Sequence, residues 1–136
     1  AEYQLQEGTY WVSEFWGAKV IRLEEEESVV FPAVPAHGCV VTAWRRQPTG
    51  QPVYLGGDLH ISQGIEVAEW QASGCNLKVT LRLPRKTDGV VRLWVPSSSP
   101  LVFVNGTTCD VYPDQDGILT IPVAVDGFAK ILIEYS

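Results

Sequence analysis

Basic residues are scarce in this chain: ten Lys and Arg stand against sixteen Asp and Glu, a formal charge of −6. Phosphate binding needs a basic surface, so nucleic acid and anionic membranes are excluded as expected partners. Long apolar runs are missing too. None reaches the roughly 20 residues of a membrane-spanning helix, and the polar opening AEYQLQEG does not read as a signal peptide. Cysteine is limited to Cys39, Cys75 and Cys109, an odd and widely spaced set. Neither a disulfide framework nor a paired zinc motif fits that spacing, and the expectation is buried thiols. Histidine is limited to His37 and His60, and no GxSxG-like elbow occurs, so acyl transfer by an activated Ser or Cys has little to stand on. No window of helical length carries the period of about 3.6 residues that an amphipathic helix needs.

What is present is strand periodicity. With 136 residues, 46% of them hydrophobic, the chain has room for one compact domain over residues 1–136. CNLKVTLRLP sends Cys75, Leu77, Val79, Leu81 and Leu83 to one face and Asn76, Lys78, Thr80 and Arg82 to the other, the alternation of a half-buried strand. GVVRLWVP repeats it, with Val91, Leu93 and Val95 opposite Arg92 and Trp94, and PRKTDG between them reads as a hairpin turn. Next come LVFV, the turn dipeptide Asn105-Gly106, TTCDVY, PDQDG, ILTIPVAV, the Asp126-Gly127 turn and FAKILIEYS. Pro122 cannot donate to a ladder, which assigns its strand to a sheet edge or a bulge. TYWVSEFW, KVIRL, SVVFPAV and HGCVVTAWRR continue the pattern in the N-terminal half. Together these segments predict an all-β fold, an antiparallel β-sandwich of about eight to ten short strands.

Candidate chemistry is thin. The run Glu24 to Glu27 falls where a turn is expected, and neighbouring residues on extended backbone point apart, so it reads as a solvated turn and not as a cation site. Asp58 and His60 share a strand side, yet two ligands without a third make no metal site, and no cofactor is expected. Glycoside hydrolysis needs two carboxyl groups across the bond. Asp88, Asp116 and Asp126 each precede a glycine and have a turn to explain them. Trp94 with Arg92, beside Lys78, Thr80 and Arg82 across the expected hairpin, together with Trp70, suggests a carbohydrate-binding platform. The weightier reading is that another domain covers that face or that the rings lie over sheet edges. Asn105-Gly106-Thr107 is a glycosylation sequon, but Asn-Gly already serves the hairpin and the unpaired cysteines speak for a cytoplasmic parent, so no glycan is expected.

The order YWVSEFWGAKV, VFPAVPAHGCVVTAWRRQP, PVYLGGDLHISQGIEV and GVVRLWVPSSSPLVFVNG, followed by a final strand pair, resembles the C-terminal β-domain of α-galactosidase-like glycoside hydrolases across nearly the whole chain. Phe15-Trp16, Pro35 to Cys39 and Leu55 to Gly64 carry the likeness. In such enzymes a catalytic (β/α)8 barrel comes first and the β-domain packs on it. The barrel and its catalytic aspartates are absent here, so the resemblance implies a non-catalytic accessory domain in carbohydrate metabolism with that barrel as its partner. Trp11, Phe15 and Trp16 then form an apolar interdomain patch, because their segment is apolar on both strand faces. Asp58, His60 and Gln63 either bond across that interface or serve local roles such as capping a turn, with Gly56 and Gly57 allowing close backbone approach. The isolated chain is expected to fold and to show no turnover.

Overall fold

A computed structural model of the chain describes residues 9–16, 19–23, 41–47, 50–60 and 62–135. The described strands, in chain order, are β1 (Tyr10–Glu14), β2 (Lys19–Leu23), β3 (Thr42–Arg46), β4 (Val53–Gly57), β5 (Val67–Ser73) and β6 (Asn76–Arg82). They continue as β7 (Thr87–Trp94), β8 (Leu101–Val104), β9 (Thr107–Cys109), β10 (Ile118–Val125) and β11 (Phe128–Glu134). All pairings are antiparallel, and no helix occurs among the described residues. The strands form three sheets, ordered β2-β1-β3, β10-β7-β4 and β5-β6-β11-β8-β9. The fold is all-β and consistent with a sandwich, with eleven described strands where eight to ten were expected.

The main core lies between the second and third sheets. Leu77, Val79 and Leu81 of β6 and Ile131 and Ile133 of β11 pack in one cluster with Val91 and Leu93 of β7 and Leu119 and Ile121 of β10. All nine are at most 1% exposed. Fully burying a side chain of this kind contributes about 1.5–3 kcal/mol, which concentrates the hydrophobic stabilisation in this layer. The polar partners of the alternation, Lys78 and Arg82 on β6 and Lys130 and Glu134 on β11, face solvent.

Strand partners differ from the expected hairpins. β6 pairs with β11 and β5, while β7 pairs with β10 and β4, so two of the chain's five passages between these sheets fall between β6 and β7 and between β10 and β11. Alternation states which face is buried; a strand leaving the core can return on the facing sheet as readily as beside itself. Thr87, Asp88 and Gly89, expected in the turn, open β7 instead. The two crossovers lie together, since the Leu83 N–H donates to the Gly127 carbonyl at 3.2 Å. Two other turn and edge expectations hold. β10, with Pro122, lies at the edge of its described sheet, and Asn105 and Gly106 adopt φ of 51° and 81° at the tip of the β8–β9 hairpin.

A second, smaller cluster joins the first sheet to the second. Trp11 of β1 packs with Val53 and Leu55 of β4 and Ile118 of β10, and Val20 and Trp94 lie against them. β4 is therefore buried on both sides, its Tyr54 entering the main core while Val53 and Leu55 enter the second. Two cysteines correct the expectation of buried thiols: Cys75 is exposed beside Gly74 in the β5–β6 turn, and Cys109 is half-buried at the end of β9. The acidic run Glu24 to Glu27, His37, Cys39 and the Pro35 to Cys39 segment lie outside the described residues.

Candidate functional site

The stretch from Leu55 to Gly64 leaves the end of β4 and leads to the start of β5, where all three sheets meet. A bulge between Tyr54 and Gly56 shifts the β4–β7 register. Gly57 then lies so close to β7 that a methyl group there would overlap the Val90 carbonyl. The close approach that the glycine pair permits is thus made within this chain. Asp58 holds the same neighbour: its N–H donates to the Val90 carbonyl at 3.2 Å and its Oδ1 accepts the Val90 N–H at 2.7 Å. Gly89 clears the space that this carboxylate occupies, which explains Asp88-Gly89 without a turn. His60 accepts the Ser62 N–H on Nδ1 at 3.0 Å, and the Gln63 N–H donates to the His60 carbonyl at 2.9 Å.

Gln63 corrects the interface expectation most clearly. It is 1% exposed, its Nε2 donates to the Ser13 carbonyl at 3.0 Å, and its Oε1 accepts the Ser13 hydroxyl. The side chain points into the domain and ties the loop to β1. Asp58 and His60 likewise have partners in their own neighbourhood, the local alternative.

Beside Gln63 lies a buried polar cluster that no sequence motif announces. Glu66 has zero exposure, and its Oε1 accepts the hydroxyl of Tyr54. Arg45 of β3 lies over the Tyr54 ring, with its guanidinium carbon 5.4 Å from the centroid, and donates through Nη2 to the Gln63 carbonyl. Burial pushes the Tyr54 phenol well above its ordinary range, and the Glu66 charge and hydrogen bond push it further, so Tyr54 stays a neutral donor. Burial lowers Arg45 from its ordinary value, opposed by Tyr54 and Glu66. Glu66 Oε2 and Arg45 Nη1 are both buried without a hydrogen-bond partner. Chemically the cluster is a lock: one inaccessible carboxyl, a neutral phenol and a guanidinium hold the loop, β3 and β4 together. The only signal open to sequence reasoning was the IEV triplet, whose alternation places Glu66 outside; instead Ile65 is 68% exposed and Glu66 is buried.

The aromatic candidates separate in the same way. Trp11 is 1% exposed and so contributes no bare patch. Its indole N–H donates to Gln47 Oε1 at 2.7 Å. Phe15 and Trp16 pack edge to face at 5.0 Å, and Trp16 remains 61% exposed. Trp44 on β3, 42% exposed, is a second open indole. Trp70 packs against the main core and meets Tyr54 edge to face at 6.3 Å, so it faces inward. Trp94 does share the outer face of the second sheet with Arg92, but the second apolar cluster packs against that end of the face. Lys78, Thr80 and Arg82 belong to another sheet. The expected platform of Trp70, Trp94 and Arg92 therefore does not assemble. Among the described residues no group of three or more His, Cys, Asp or Glu is placed to hold a metal ion. No protein-family model and no curated protein matches this chain.

Proposed function

We propose that this chain is a non-catalytic β-domain of an α-galactosidase-like glycoside hydrolase, packing on and stabilising a (β/α)8 catalytic barrel of the same parent. The observation that carries the reading beyond the resemblance is a pair of open indoles, Trp16 in the turn after β1 and Trp44 on β3. Scattered apolar side chains need no explanation, but tryptophan is enriched where proteins meet, and an open one on β3 with another in the turn after β1 favours a partner surface. The interface so proposed consists of Phe15, Trp16 and Trp44, with Trp11 and Gln63 behind it as internal supports. The inaccessible Glu66, bonded to Tyr54, accords with a structural role for that polar cluster.

The reading is tested by the reading frame and by binding. Sequence upstream of Ala1 in the native gene should encode a barrel, and that barrel, produced separately, should bind this chain. Trp16→Ala and Trp44→Ala together should weaken the association at least tenfold, since central interface tryptophans cost about 2 kcal/mol or more on truncation. A native frame without a barrel, or binding indifferent to both substitutions, would sink the proposal. With an activated α-galactoside the chain alone should give no turnover; turnover lost on replacing one of its own carboxylates would also overturn it.

A further inference from the structure

We infer that the outer face of the third sheet is a binding groove for a neutral oligosaccharide. Single apolar side chains on a solvated face need no explanation, but a clustered set points to a ligand. Phe103 and Leu132 lie directly opposite each other on β8 and β11, half-buried, and Phe128 on β11 is 56% exposed, with the Lys130 ammonium 6.0 Å from its ring centroid. A hollow of about 530 Å³ lies over Phe103 and Leu132, edged by Gln71, Lys78, Thr80 and Lys130. A second, of about 440 Å³, lies against Phe128 and Asn105 and shares Lys130 and Gly106 with the first. The join is built in, because the Asn105 N–H donates to the Lys130 carbonyl at 2.8 Å and Asn105 Oδ1 accepts the Lys130 N–H at 2.9 Å.

The chemistry of the groove selects its occupant. Lys78 and Lys130 are met there by Glu69 and Glu134, and Asp126 borders the second hollow, so a polyanion is not favoured. β6 and β11 are inner strands with both edges paired, which removes strand addition by an extended peptide and leaves recognition to side chains. What remains is an apolar floor of two rings and a leucine, edged by both donors and acceptors. A sugar offers that combination, an apolar C–H face and a rim of hydroxyls. Phe128 lies four residues along β11 from Leu132, about 13 Å at the rise of a strand. The two rings therefore address different units of a chain and not one monosaccharide.

The test uses this chain alone, titrated with neutral gluco-, galacto- and manno-oligosaccharides from disaccharide to hexasaccharide while backbone amide resonances are followed. At least one series should give saturable shifts confined to β6, β8 and β11, growing tighter with chain length. Phe128→Ala and Lys78→Ala, both at exposed positions, should keep the thermal midpoint and weaken that binding about threefold to tenfold, the range an aromatic contact commands. Trp16→Ala should leave it unchanged. No saturable shift with any series, shifts on another sheet, or binding indifferent to Phe128→Ala and Lys78→Ala would overturn the assignment. So would concentration-dependent shifts of these amides without sugar, which would mark the face as a contact between copies of the chain. Because no barrel takes part, failure here is distinguishable from failure of the accessory-domain reading.

Discussion

The two apolar clusters are built on different principles. Between the second and third sheets the cluster is chiefly aliphatic, with Tyr54 and Trp70 beside it, and residues two apart along each strand supply the layer. Between the first sheet and the second, Trp11 packs on three aliphatic residues with Val20 and Trp94 beside them, and polar contacts tie β1 and β3 to the loop after β4, Ser13 to Gln63 and Arg45 to Gln63, with Tyr54 to Glu66 alongside. The first arrangement is non-directional and tolerates adjustment, because its driving force follows area. The second depends on individual atoms, since a buried donor or acceptor that loses its partner costs about 1–3 kcal/mol. The molecule thus places bulk stability in one layer and positional definition in the other.

That contrast can be broken most sharply by paired truncations. Ile131→Ala and Trp11→Ala should each cost several kcal/mol, about 2–5 for the first and about 3–5 for the second, but with different extent. Ile131→Ala should lower amide protection throughout β6, β7, β10 and β11. Trp11→Ala should open β1, β2 and β3 while those four strands stay protected, the behaviour of a separate cooperative unit. Uniform loss in both variants, read by hydrogen exchange, would show one cooperative unit and end the distinction.

Smaller changes address the polar junction. Glu66→Ala removes the acceptor of a buried phenol and should cost about 1–3 kcal/mol, whereas Glu66→Gln keeps an acceptor and should recover part of that loss in chemical denaturation. Tyr54 gives the junction a pH signature. Its folded-state value is raised, so above pH ~10 the unfolded chain releases a proton that the folded chain retains, and stability falls as pH rises. Tyr54→Phe should remove that component of alkaline unfolding and leave neutral-pH cooperativity intact; an unchanged alkaline slope would assign it elsewhere. The smallest effect concerns the β8–β9 tip. At Gly106 a methyl group meets open space, but φ is +81°, so Gly106→Ala should cost about 1 kcal/mol by thermal denaturation.

Legibility in the sequence followed the same division. Leu77, Val79 and Leu81, or Ile131 and Ile133, announce their layer by alternation alone, and Asn105-Gly106 announces its hairpin because few other residues take positive φ twice in succession. Strand partners were not legible in the same way. The Pro84 to Gly89 segment has turn composition, yet whether the next strand returns beside β6 or on the facing sheet is decided by β10 and β11, which follow later in the chain. The polar junction was hidden for a related reason: Gln63 meets Ser13 across a separation of 50 residues. Polar residues at that distance carry no periodicity. Within PVYLGGDLHISQG, Asp58 and Gln63 bond β7 and β1 of the chain itself and His60 bonds Ser62 in its own loop.

The crossed connections set the order in which the chain can fold. β7 must find β10 and β6 must find β11, and the β8–β9 hairpin lies between each pair in sequence. Closing either crossover early yields two strands on opposite sides of an unformed core, with no ladder to offset the lost chain entropy. Local pairing is open to β1–β2, β5–β6 and β8–β9, while the four strands holding most of the buried Leu, Ile and Val become ordered together. Such reliance on distant partners puts folding in the slow range, on the order of milliseconds to seconds. During that interval the exposed edges of the three local hairpins are the surfaces most open to wrong pairing, and the charged outer positions of β6, Lys78 and Arg82, help keep two such chains apart.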